Sequence, residues 1–144
     1  MENETARMPR WAIGAGVLLL LWSLMGIWSF YSEVTITPEA AAAMPPEQRA
    51  LWNSMPGWLW GVFAAAVFSA LAASIAMLAR KAIAKPLWLL SLAAVILQFA
   101  YVFLVMPTLS TMGASAIGFP AFIIAVAFAA WLLSRNWTAK GWLH

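Results

Sequence analysis

Four long apolar stretches, residues 11–31, 58–79, 86–106 and 117–134, alternate with three connections of contrasting character. Each stretch is close to the length of about 20 residues that carries an α-helix across about 30 Å of hydrocarbon. None contains Asp, Glu, Lys, Arg or His. The pattern predicts an all-α integral membrane protein: an antiparallel four-helix bundle in which residues 1–144 form a single membrane domain. The connections at 80–85 and 107–116 are short enough to force antiparallel neighbours. The connection at 32–57 is polar and contains prolines, and it alone has room for structure outside the membrane.

That loop carries its own helix signals. Thr37-Pro38-Glu39 combines an N-cap residue, a proline at the first helical position and an acid at the positive end of the helix dipole, ahead of residues 40–44. Pro45 ends this turn. Pro46-Glu47 starts a second helix through Gln48, Arg49, Ala50, Leu51, Trp52 and Met55, which stops at Pro56-Gly57. Leu51, Trp52 and Met55 share one side, so this segment is expected to lie on the membrane surface with its apolar face down.

Composition sharpens the class. Residues counted as hydrophobic make up 65% of the chain and charged residues 9%, against about 25% charged in an ordinary soluble domain. A water-soluble globular fold is excluded. So is a disordered or nucleic-acid-binding tail, because eight Lys and Arg against five Asp and Glu are spread thinly along the chain. With no cysteine and one histidine, His144, there is no disulfide framework, no thiol nucleophile and no metal-ligand set. The expected partner is the lipid bilayer, with no nucleic acid and no cofactor.

Orientation follows from the basic residues, which are retained on the cytoplasmic side of short loops. Arg7, Arg10, Arg80, Lys81, Lys85, Arg135 and Lys140 fall on one side of an alternating four-span chain, and Arg49 stands alone opposite them beside Glu33, Glu39 and Glu47. Both termini are therefore expected in the cytoplasm and the 32–57 loop in the periplasm. The first stretch also carries a signal-peptide-like basic flank, but its apolar run is too long and Ala41-Ala42-Ala43 too distant for cleavage to be expected. Tryptophan, with an apolar body and one N–H donor, favours membrane boundaries. Trp11, Trp88, Trp131, Trp137 and Trp142 are expected at the cytoplasmic boundary, and Trp28, Trp52, Trp58 and Trp60 at the other. Trp22 alone lies near mid-membrane, where its N–H needs an acceptor on another helix or on a ligand.

Close packing of helices in lipid relies on small residues that let backbones approach. Gly57, Gly61, Ala65, Ser69 and Ala73 form one row on the second span, with Ala66, Ala70 and Ser74 beside it, and Ala121, Ala125 and Ala129 form another on the fourth. These rows are expected to make the tightest helix contacts, within the bundle or between copies.

Candidate chemistry is sparse. The spans offer only Ser23, Ser29, Ser69, Ser74, Ser91, Gln98 and Tyr101 with a few terminal groups, and a serine without a base is a packing residue. No catalytic residues are expected, and the chain does not read as an enzyme. Proton-coupled transport needs a membrane-embedded carboxylate or histidine, which the four stretches lack. Gln98 and Tyr101, three residues apart, are expected on one face of the third span. Gln98 reads either as an interhelical hydrogen bond or as part of a small polar-ligand pocket with Tyr101, Ser91 and Trp22.

The order of a first span, Pro46-Glu47-Gln48 in the loop, Met55-Pro56 followed by Trp58, a basic turn and a third span opened by Pro86 resembles a group of small four-span inner-membrane proteins of Gram-negative bacteria. That group is often loosely labelled as sugar transporters and otherwise has no assigned function. The resemblance runs over nearly the whole chain and implies a multi-pass protein of the bacterial cytoplasmic membrane. Together these features point first to a non-enzymatic accessory or scaffold subunit acting through helix packing and its periplasmic loop, with a larger membrane protein or a second copy as partner. The alternative is a small oligomeric transporter or channel for a neutral solute.

Overall fold

A computed structural model of the chain describes residues 8–108, 110 and 113–144. The first apolar stretch has no internal proline and winds into one unbroken helix, α1 (Arg10–Val34). It outlasts its apolar run because nothing breaks it before Thr35, whose N–H and hydroxyl both donate to the Tyr31 carbonyl, at 3.1 and 2.6 Å. Two short helices follow, α2 (Pro38–Ala42) and α3 (Pro46–Asn53). The Thr37 hydroxyl accepts from the Ala40 N–H at 3.1 Å, as its N-cap position predicts. Arg49, the one basic residue at this end, folds the loop back on itself. Its guanidinium donates to the carbonyls of Ala41, Ala42 and Met44 at 3.3, 3.1 and 3.0 Å, satisfying acceptors that the end of α2 leaves open. Trp52 of α3 packs edge-on against Trp60, 5.0 Å between centroids, and ties the loop to the next helix.

The remaining stretches form α4 (Gly57–Leu78), α5 (Ala84–Ala100) and α6 (Gly118–Ala139). A π-helical turn (Tyr101–Val105) extends α5 until Met106, held extended by Pro107, ends it. A single 3₁₀ turn (Ala114–Ile117) leads into α6. α1, α4, α5 and α6 are each long and apolar enough, with their flanking turns, to cross a membrane. They pack in chain order: α1 on α4, α4 on α5, and α5 on α6. The outer surface is apolar, with Leu18, Trp28, Phe119 and Leu104 exposed, the last by 82%, a surface suited to lipid and not to water.

The helices extend past the apolar stretches at several ends, so ionisable residues do sit on them: Arg10 and Glu33 on α1, Lys85 on α5, and Arg135 on α6. Arg7, one of the orientation residues, lies outside the described residues. The other six basic residues of that set gather at one end of the bundle. There α4 closes with Arg80 in the left-handed region (φ 62°), and the Lys81 N–H donates to Ala76 O at 2.7 Å. α6 closes the same way around Gly141 (φ 82°), with the Trp142 N–H on Trp137 O at 2.9 Å. The reversal at Gly141 carries Trp142 and Leu143 back under the bundle. Ala82 N–H donates to His144 O and His144 N–H to Arg80 O, both at 3.2 Å, and Arg80 Nε donates to Trp142 O at 3.1 Å.

At the basic end Trp88, Trp137 and Trp142 are buried against the bundle itself, with Trp11 edge-on to Trp137 and Trp142 at 6.0 and 5.8 Å. Within one chain, the two small-residue rows do not make the tightest contacts expected of them. On α4, Ser69 and Ala73 are buried, but Gly57, Gly61 and Ala65 are exposed, and a Cβ added at either glycine would meet nothing within 4 Å. Ala121, Ala125 and Ala129 on α6 are exposed as well; Ala127, Ala130, Ser134 and Trp137 face inward instead. The buried face of α4 is the neighbouring row, Ala66, Ala70 and Ser74, together with Ser69 and Ala73. Its tight counterpart lies on α1 and not on α6: a Cβ at Gly16 would come within 2.8 Å of Leu78 and one at Gly26 within 3.2 Å of Val67. Between them the hydroxyls of Ser23 and Ser74 meet at 3.0 Å.

Candidate functional site

Backbones of α1 and α6 make no extended contact; the two helices meet through rings, with Trp22 edge-on to Phe122 at 5.4 Å and tilted against Phe119 at 6.3 Å. Bulky contacts hold the helices apart, and a cavity of about 580 Å³ remains among α1, α4, α5 and α6. This volume lies within the usual range of small-molecule sites, about 300 to 1,000 Å³. α1 lines it with Trp22, Gly26, Ser29 and Glu33, whose spacings of four, three and four place them on one helix face. α5 contributes Trp88, Ser91, Val95 and Gln98 on the same kind of stripe. Phe63, Ala66 and Ala70 of α4 and Phe119, Ile123 and Ala127 of α6 complete apolar walls.

Most polar groups in the cavity wall are already engaged. The Ser91 hydroxyl donates across to Ala66 O at 2.8 Å, joining α5 to α4. Ser23 donates to Leu19 O at 2.8 Å and shares a hydrogen bond with Ser74. Ser29 donates to Glu33 Oε2 at 2.9 Å. Trp88 Nε1 points at Met77 Sδ, 3.1 Å away. Gln98 differs: its residue is only 8% exposed, it lines the cavity, and among the described residues nothing hydrogen-bonds to its side chain. An amide with two donors and an acceptor thus stands in the cavity wall with no protein partner among the described residues.

Of the four residues expected to share a pocket, the structure brings together three, Gln98, Ser91 and Trp22. Tyr101 is turned away: its ring packs edge-on against Trp58 at 5.1 Å and does not line the cavity. A step of three residues along a helix falls about 60° short of a full turn, and the π-helical turn that starts at Tyr101 changes the phase further. Sequence reasoning missed Glu33, because it ended the first span where the apolar run ends. The signal was present: no breaker separates Tyr31 from Pro38, so the helix continues, and Glu33 falls four residues after Ser29 and eleven after Trp22.

No protein-family model matches the chain, and no curated protein or solved structure matches it significantly.

Proposed function

We propose that the protein is a non-enzymatic membrane protein that binds a small solute in the cavity between its four helices, as a transporter does. The observation that carries this reading is the Gln98 amide, buried, facing a cavity of about 580 Å³ and without a hydrogen-bond partner among the described residues. The amide keeps access to the cavity, and a solute there would supply the hydrogen bonds that the described residues do not. As a purely structural residue it would be expected to bridge two helices, a bond of about 0.6–2 kcal/mol.

Gln98→Leu separates the two. In the solute-binding reading the detergent-solubilised variant melts at or above the wild type, since an unsatisfied group has been removed, and its solute binding is lost. A melting temperature several degrees lower would make Gln98 an interhelical link and remove the basis of the reading.

A second reading, an accessory subunit acting through helix packing, draws on the outward-facing Gly57, Gly61 and Ala65 and on Ala121, Ala125 and Ala129. It predicts a larger membrane protein or a second copy in mild detergent. Under either reading we place the chain in a bacterial cytoplasmic membrane with both termini inside, on the strength of the basic cluster at one end of the bundle. Reporter fusions after Lys85 and Arg135 should read cytoplasmic and one within residues 39–49 periplasmic; a periplasmic reading after Arg135 would refute this orientation.

A further inference from the structure

We propose that the cavity ligand is an organic cation with an aromatic or otherwise bulky apolar body, its positive charge held by Glu33. This inference rests on the solute-binding reading and deepens it. Glu33 sits on the last turn of α1, half-buried, and lines the same cavity as Gln98. Its carboxylate receives one neutral hydrogen bond, from Ser29 at 2.9 Å, and among the described residues no Lys, Arg or His forms an ion pair with it. Glu33 stands beside the exposed Ser29 and Ser32, and an ionisable residue on a membrane helix is expected to have a partner.

The walls indicate the nature of that partner. Four aromatic residues, Trp22, Trp28, Phe63 and Phe119, are among those that line the cavity, and an aromatic ring attracts a cation over its face. A metal ion is a poor fit, since it needs several oxygen ligands and the described residues hold no cluster of acids around Glu33. An apolar cation needs fewer: one carboxylate for charge, rings for its body, and the Gln98 amide for any polar substituent deeper in. Charge and apolar surface are then satisfied together.

Tetraphenylphosphonium and tetraphenylborate test this, because the two ions match closely in size and shape and differ in sign. Each is dialysed to equilibrium against the full-length protein in mild detergent, with partition into protein-free micelles subtracted. The expected result is one phosphonium ion bound per chain with no comparable binding of borate. Glu33→Gln should weaken phosphonium binding about tenfold or more, Glu33→Asp should restore part of it, and Glu47→Gln, outside the cavity, should leave it unchanged. Equal binding of both ions, unaffected by Glu33→Gln, would overturn the cation assignment while leaving a solute-binding cavity. Binding of neither ion would count against the cavity reading itself. Loss of binding with both Glu33→Gln and Glu47→Gln would overturn the assignment of the charge to Glu33.

Discussion

Trp137→Ala is expected to destabilise the bundle by about 3–5 kcal/mol, the range for truncating a fully buried aromatic residue. Trp137 is 0% exposed and stands at the centre of the basic end, with Trp11 at 6.0 Å and Trp142 at 5.9 Å. It also anchors the chain reversal, because its carbonyl receives the Trp142 N–H. Truncation would open a cavity under α1 and free the segment that links α6 to the α4–α5 turn. Trp137→Phe should cost much less. The indole Nε1 is a buried donor with no hydrogen-bond partner among the described residues, so Phe removes ring area and an unsatisfied group together. Thermal unfolding in detergent checks both: a fall of about 10 °C for Ala and a clearly smaller one for Phe. Equal falls would mean that the indole N–H contributes to stability.

Ala73→Leu should clearly destabilise the bundle, and Gly61→Leu should be nearly harmless to the isolated chain. Ala73 is 0% exposed in the core, so three added carbons must displace neighbours or separate helices, at a cost of about 1–3 kcal/mol or more. Gly61 lies on the outer face with open space around its Cβ position, and Leu there adds only lipid-facing surface and helix propensity. Melting temperature and elution volume of the two variants decide the matter. Were Gly61→Leu to shift the protein from a larger species to a smaller one without lowering its melting temperature, the outer row would be a contact between copies.

The spans were legible because bilayer crossing imposes a length and a composition, and both are linear properties of a chain. The loop helices were legible for a different reason: Thr37, Pro38 and Pro46 act through local geometry, and the Thr37 cap forms as its position implies. The site was legible only in part. Gln98, Ser91 and Trp22 stood out as polar or amphipathic groups at depth and do converge, while Tyr101 was misplaced by helical phase. Glu33 was hidden because hydropathy reports where a run of apolar residues stops, and a helix stops only where its hydrogen-bonding pattern is capped, here at Thr35.

By itself the sequence determined four apolar helices, their antiparallel order, the basic end and the capped loop, since each depends on residue type and spacing along one segment. Which face of each helix turns inward was decided by the tertiary structure. In a soluble protein the apolar stripe marks the core, but lipid is as apolar as a packed interior, so helices apolar all round carry no such mark. Shape decides instead. Gly16 and Gly26 let α1 close on α4, Trp22 holds α6 off, and the cavity that receives Gln98 and Glu33 is the space these contacts leave.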